Sequence, residues 1–590
     1  MVTAISSYFQ NFPVSTLTRV ASGLEDADLA IVNARIINVY SGEILDNCSV
    51  GIKGEWIAWV GDAPKPVDAT HTRIIDASGK TVIPGLIDGH THMAWLSNPS
   101  DFIETVMKGG TTTLITETME TYPIGGADAV KDFMAALRDQ PIKIFTTAPA
   151  MVSISGKTKG VPVDVLSDLL DQEGMLGLGE SYWQAVMQDS DIYLPMFART
   201  LASGKLLEGH SAGAGGKKLM AYAAAGISSC HEPITAEEVL SRLRLGIYVM
   251  IREGSIRRDL AAISKIKDFG IHSRRLILAT DGVSPEDLVQ KGYMEYVVQK
   301  AVDCGFDPVT AVQMATLNVA EHFGLDARVG GIAPAKQADM LIIPNPGKIV
   351  PEVVISRGRV VAENGQAMVR SRKHVFSNRS LASVHIPEPL KPADFSIRFP
   401  GDTPQVQVRV IDLITDLVTQ ELHMELPIVG GEIAVDIGKD MVKVAAIDRT
   451  HEPGKRFVGL LRGTGMTSGA FASSAAWDAS DIIVVGASDA DMALAVNRIR
   501  EMQGGAVVCD QNRVVAELAL PIMGLMADIP LAEMARQLAA IRLAIGRLGV
   551  RFSDPLLTLV TLTGAAIPYL RICEEGLVNL KNGKTTGLRV

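Results

Sequence analysis

The chain has 590 residues, of which 47% are hydrophobic and 21% charged, with a formal net charge of −10. That length exceeds what one hydrophobic core serves, so several domains are expected. An acidic chain with no long basic run argues against nucleic acid or an anionic membrane as partner, and no apolar run reaches the ~18 residues of a membrane span. Cys48, Cys230, Cys304, Cys509 and Cys573 are odd in number and widely spaced, and residues 1–20 lack a basic, apolar leader, so a reduced cytoplasmic protein is the expectation.

Residues 1–27 read as a helical lead-in. Strand patterns follow at Leu29–Val39, Cys48–Val60 and Thr72–Asp76, with Gly42, Gly54 and Gly61 at the turns. Over residues 81–333 apolar, strand-like runs alternate with amphipathic helical ones. The strands are expected at Thr81–Asp88, Thr111–Thr116, Ile142–Ala148, Met175–Gly179, Leu206–Gly209, Gly226–Ser229, Tyr248–Ile251 and Leu276–Ala279. Repeated βα units in that number predict an α/β fold, a closed (β/α)8 barrel. Helices are expected between them at Asp128–Asp139 and Ala236–Leu245, and after them at Asp307–Phe323.

Strands return at Met340–Ile343, Ile349–Ser356 and Arg359–Glu363. Residues 28–80 and 334–370 are therefore expected to form one small β-domain built from both sides of the barrel. Residues 371–405, rich in Pro, Ser, Lys and Arg, read as a linker, and 406–590 as a C-terminal α/β domain. There a strand is expected at Asp481–Ala487, helices at Asp489–Met502 and Asp528–Leu548, and a hairpin over Ala506–Leu520 that turns near Asp510-Gln511-Asn512.

The chemistry starts in Val82-Ile83-Pro84-Gly85-Leu86-Ile87-Asp88-Gly89-His90-Thr91-His92. Side chains alternate faces along a strand, so His90 and His92 point the same way and can share an ion. Other ligand types close later strands: Glu180, His210, His231 and Asp281. In a barrel of this kind the active site gathers residues from the C-terminal ends of several strands. Imidazole and carboxylate suit zinc, iron or manganese, and six ligands exceed one tetrahedral zinc, so a bridged pair of divalent transition ions accounts for them. Gly459, Gly463, Gly465 and Gly469 match no phosphate-binding fingerprint, and His231-Glu232 lacks the second histidine of a metalloprotease helix.

Pro84-Gly85-Leu86-Ile87-Asp88-Gly89-His90-Thr91-His92 resembles the first barrel strand of the amidohydrolase superfamily. Leu207-Glu208-Gly209-His210, Cys230-His231-Glu232, Ile251-Arg252-Glu253-Gly254-Ser255, Met314–Asn318, Ile482–Gly486 and Leu520-Pro521-Ile522 are similar to marks of its bacterial adenine deaminase branch. The resemblance implies a metal-dependent hydrolase in which His90, His92 and Asp281 hold one ion and His210 and His231 the second. Glu180 would bridge them, where many superfamily members use a modified lysine. It further implies hydrolysis of adenine to hypoxanthine and ammonia, with Asp281 moving the proton. Glu120 would be a second acid or outer metal contact, and Glu208 is the alternative for that role. The expected partner is a small molecule, a purine base, and the expected assembly a homo-oligomer.

Departures from the branch surround the ligands. Met93-Ala94-Trp95-Leu96 stands for Ile-Glu-Ser-Ser, and Glu117-Thr118-Met119-Glu120 for Asp-Pro-His-Glu, keeping only the last acid. Gly282-Val283-Ser284 replaces Asp-Arg-His, and Trp477-Asp478-Ala479-Ser480-Asp481 replaces His-Asp-Ser-His-Asn. They keep open hydrolysis of a cyclic amide or N-acyl substrate, and a binding protein without turnover.

Overall fold

The computed structural model describes residues 12–65, 67–399 and 403–590. Of the expected lead-in, residues 1–11 lie outside the described residues. Val14–Ala21 is a helix whose Leu17 and Val20 share a core cluster with Trp56 and Trp59.

Eight parallel strands carry the site: β1 (Leu86–Thr91), β2 (Thr111–Thr116), β3 (Lys143–Ala148), β4 (Met175–Tyr182), β5 (Leu206–His210), β6 (Ser229–Cys230), β7 (Tyr248–Arg252) and β8 (Leu276–Ala279). β1 to β5 pair in chain order in one sheet, and β6 to β8 in another. Two seams join them into a ring. Ser228 N donates to Leu207 O (2.9 Å) between β5 and β6. Between β8 and β1, Asp281 N donates to His90 O (2.9 Å) and His92 N to Asp281 O (2.8 Å). The strands are buried almost throughout, as a parallel sheet covered by helices must be.

The expected strand Thr81–Asp88 is two strands with different partners. Thr81–Pro84 leaves the ring to pair antiparallel with Met340–Ile343 and parallel with Arg35 and Ile36. It lies within a nine-stranded sheet drawn from residues on both sides of the barrel. Gly85 makes the handover. Its N–H bonds to Asp339 O (2.9 Å) while Leu86 N–H bonds to Gly110 O (3.1 Å). A Cβ here would stand 2.2 Å from Thr112 Oγ1, so the barrel wall approaches too closely for any side chain.

Two other expectations break for local reasons. Cys48–Val60 is the core of a hairpin, Glu43–Lys53 with Trp56–Gly61, because Gly54 turns the chain with φ of 57°. The helix expected over Asp307–Phe323 is two, Pro308–Met314 and Leu317–Phe323. Thr316 interrupts it with φ −143° and ψ −88°.

The C-terminal region holds a second nine-stranded sheet, with Asp481–Gly486 between Met441–Asp448 and Ala470–Ser473, and the hairpin Gly505–Asp510 with Arg513–Ala519 at one edge. Residues 371–399 run along the surface with a few anchored side chains. His374 and Ser380 bond Asp132 on a barrel helix, while Val384, Ile386 and Phe395 enter the C-terminal core. Residues 400–402 of that expected linker lie outside the described residues. The helix Leu531–Arg547 packs against the hairpin and against the barrel-side helix Pro285–Gln290. Leu96, in the loop after β1, takes φ of 69° and exchanges backbone hydrogen bonds with Leu525 and Ala527 (3.0 and 2.8 Å). Thus the C-terminal domain sits on the barrel mouth. Among the described residues no helix is long and apolar enough to cross a membrane.

Gly85→Ala is expected to lower folding stability by about 1–3 kcal/mol, the usual penalty of forcing a group into a packed wall. Denaturant titration checks this, and an unchanged midpoint would show that the barrel wall yields at no cost.

Candidate metal centre

Parallel strands bring their C-terminal ends to one face of the ring, and there the sequence-derived ligands meet. His90 lies at the end of β1 and His92 directly follows it, Glu180 lies near the end of β4, His210 ends β5, His231 follows β6 and Asp281 follows β8. Each is no more than 5% exposed. Asp281 adopts φ of 64°, a left-handed conformation that aspartate tolerates better than most residues. That turn lets its backbone close the β8–β1 seam while its side chain turns toward the β1 histidines.

The distances form a connected cluster. Asp281 Oδ1 lies 3.2 Å from His92 Nε2 and 3.6 Å from His90 Nε2. Glu180 reaches across the mouth, with Oε2 3.1 Å from His210 Nδ1 and 3.0 Å from His231 Nε2, and Oε1 3.6 Å from His92 Nε2. Three overlapping groups place ligand atoms within 4.8 Å of one another: His90, His231 and Asp281; His90, His92 and Glu180; and Glu180, His210 and His231. Glu180 belongs to two of these groups. Glu120, fully buried, pairs its Oε1 with His92 Nδ1 at 2.5 Å. Glu208 is held elsewhere, its carboxylate bonded to His322 (2.9 Å) and Ser229 (2.6 Å).

Does this donor set suit an ion? Nε2 of His90 and of His210 are buried and have no hydrogen-bond partner among the described residues. An imidazole nitrogen buried without a partner costs free energy that a cation at that lone pair would recover. At His90 the acidic oxygen Asp281 Oδ1 lies 3.6 Å from that same Nε2, which fits a divalent metal, while at His210 the carboxylates of Glu180 and Glu232 face Nδ1.

Three residues join the centre that sequence reasoning had not singled out. Glu117 was read as a lost acid, yet it is an acid one methylene longer than Asp, and its Oε1 sits 3.6 Å from His90 Nδ1 and accepts from Glu180 N (3.1 Å). Glu232 lies 3.4 Å from His231 and 3.5 Å from His210. Arg252, at the end of β7, donates to Glu232, to Asp281 Oδ2 (3.1 Å) and to Asp259 (3.3 Å). The available signal was position along the chain: Glu117 follows β2, Glu232 follows β6 and Arg252 ends β7, so all three stand at C-terminal strand ends.

Electrostatics follow from this packing. Burial pushes Asp281 up, but the imidazoles of His90 and His92 beside it and the charge of Arg252 outweigh it, holding the carboxyl well below its usual range. Glu180 is likewise held low against burial by His210 and His231. Burial pushes Glu117 up to about 7 against the pull of His90. For His90, burial disfavours the charge, and the carboxylates of Asp281 and Glu117 override it to about 9. His92 and His210 are raised by the same contest, while burial and His90 lower His231.

The C-terminal domain adds an aromatic roof. Trp477 stacks on the His92 ring at 5.0 Å between centroids and 8° between planes, and Trp95 meets Trp477 edge-on at 5.7 Å. Ser284 caps the helix Pro285–Gln290 through Asp287 N (3.2 Å).

A barrel whose strand ends converge on buried histidines and carboxylates is the architecture of a metal-dependent hydrolase. Residues 81–361, which contain every barrel strand, match the amidohydrolase family, and residues 416–584 match the adenine deaminase C-terminal domain. An adenine deaminase of Moorella thermoacetica is 37% identical, with 98% of each chain aligned. One from Clostridium botulinum is 34% identical over 96% of this chain and 95% of its own. One from Dehalococcoides mccartyi is 34% identical over 97% and 98%. The chain belongs to the adenine deaminase family.

Two outcomes test the centre. Arg252→Met leaves Glu232, Asp259 and Asp281 buried with less compensating charge, and is expected to cost about 3–5 kcal/mol of stability. A variant that melts with the parent would show that the guanidinium is dispensable. Metal uptake by chelated protein should release protons at pH 7, because His90, His92 and His210 keep protons above the ordinary histidine range. Affinity should therefore strengthen as pH rises toward about 9, the value for His90. An indicator dye in weakly buffered solution reads this, and uptake with no proton release contradicts it.

Proposed function

We propose that the chain is a metal-dependent hydrolase that converts adenine and water to hypoxanthine and ammonia. The observation that supports this best is the buried histidine–carboxylate cluster at the barrel mouth of a chain similar over nearly its whole length to proteins named adenine deaminase. In this reading His90, His92 and Asp281 hold one divalent ion, His210 and His231 hold a second, and Glu180 serves both. Manganese, iron or zinc suits such donors. When bound, the ions act as Lewis acids and bring the pKa of water from about 15.7 to ~7.

Asp281 takes one proton as water adds to the ring carbon that bears the amine and delivers it to the departing nitrogen, while the other water proton ends on the ring nitrogen beside the new carbonyl. Arg252, 3.1 Å from Oδ2, keeps the carboxylate ionised and fixes its rotation. Glu120 is assigned an orienting role: bonded to His92 Nδ1 at 2.5 Å, it sets the tautomer that leaves Nε2 free to face the centre. Glu117, 3.6 Å from His90 Nδ1, places a carboxylate beside that ring without a hydrogen bond to it. Glu208, engaged by His322 and Ser229, braces the base of the mouth and takes no part in proton transfer. The acidic chain with its separated cysteines is assigned to the cytoplasm, as a homo-oligomer.

Asp281→Asn should retain the fold and lose activity by about 10²–10⁴, the worth of a positioned acid–base group. Ammonia release from adenine and ion content are measured on the same sample. Full activity at full metal content would remove Asp281 from the proton path.

A further inference from the structure

The segment between the strands Ala470–Ser473 and Asp481–Gly486 carries a carboxyl of the C-terminal domain toward the barrel mouth. Trp477 lies on His92, and the next residue, Asp478, is 1% exposed. Its Oδ2 accepts from Ala565 N at 3.0 Å. Its Oδ1 is buried and has no hydrogen-bond partner among the described residues. Among the described residues Asp478 forms no ion pair. Arg571, whose charge acts on it, is bonded to the carbonyls of Leu417, Ile567 and Pro568.

The barrel groups that share its surroundings are Glu180 and Tyr182. The Tyr182 hydroxyl donates to Glu180 Oε1 at 3.5 Å and is raised by burial and then by the charges of Glu180 and Asp478. Burial lifts Asp478 itself to about 7, with Glu180 adding and Arg571 opposing. An acceptor held in place by a backbone N–H, with its other oxygen unpartnered beside a stacked indole, is an arrangement for reading the edge of a flat ring.

We propose that Asp478 is a specificity-determining residue whose Oδ1 accepts the imidazole N–H of an unsubstituted purine, so that the site takes the free base and rejects its N-alkylated or N-glycosylated forms. This rests on the deaminase reading above. A free purine carries one imidazole N–H, and substitution at that nitrogen removes it. A site built to hydrogen-bond a substrate N–H discriminates strongly against the analogue that lacks it, because the buried acceptor is then left without a partner.

The test is a cycle between residue and ligand, using metal-loaded enzyme. Binding of hypoxanthine and of its 7-methyl and 9-methyl derivatives is measured by equilibrium dialysis with the parent and Asp478→Asn. The parent should prefer hypoxanthine to both methylated forms, neither of which keeps an imidazole N–H, by about ten-fold or more, the worth of a hydrogen bond to a charged group. In Asp478→Asn the Ala565 N–H holds the amide oxygen, so the NH2 takes the place of Oδ1 and donor meets donor. The preference should then fall to about three-fold or less, with ion content unchanged. Asp478→Ala serves as a second variant and should also lose the preference. A merely structural role would weaken all three ligands alike, and a preserved preference in a folded, metal-loaded variant overturns the proposal. A parent that binds no purine and releases no ammonia from adenine would instead bring down the deaminase reading, and this inference with it.

Discussion

The structure depends on one junction, the seam where β8 meets β1. Asp281 there exchanges two backbone hydrogen bonds with His90 and His92 and turns its carboxylate toward the same two imidazoles. A single residue thus closes the barrel and gathers the ligands. Its left-handed φ is the local cost, of a kind that persists only where surrounding contacts over-determine it. Arg252 supplies one such contact, and the buried hydrogen bonds that the adjacent Thr280 donates to the Asp88 carboxylate supply another. Folding and assembly of the site are therefore the same event at this point in the chain.

Much of this was legible in the sequence, for definable reasons. The period-two pattern ending in His90 and His92, and the ligand types at later strand ends, need only strand parity and chain order. The ring of strands likewise needs only βα alternation. What stayed hidden depended on partners distant in sequence. Nothing in Thr81–Asp88 announces that Pro84 pairs with Met340 while Leu86 begins the barrel, since both halves are equally apolar. Glu117 looked like a loss because its neighbours had changed, although the carboxylate was still there to reach His90. Thr316, which splits the expected long helix, is no breaker by composition.

The largest gap concerned the C-terminal domain. A stretch of 185 or so residues reads from sequence as a self-contained α/β unit, and nothing local shows that it sends Trp477 into another domain's histidines. The contacts are spread along the chain: Leu96 with Leu525 and Ala527, Ser155 with Glu574, Thr158 with the Asp478 carbonyl, and Arg542 with Glu286. Each joins a barrel loop to the cap, and they surround the mouth on several sides. Such an interface is dense enough that cap and barrel are expected to behave as one cooperative body.

That arrangement bears on how the gene can change. Recombination that exchanged the C-terminal half for that of a relative would replace Trp477 and Asp478 together with the partners of Leu96, and so would alter the lining of a site whose histidines it left untouched. Met93–Leu96 and Gly282–Ser284 lie on the barrel side of the boundary with the cap and Trp477–Asp481 on the other, so a change at Trp95 is felt at Trp477, its edge-on neighbour across that boundary.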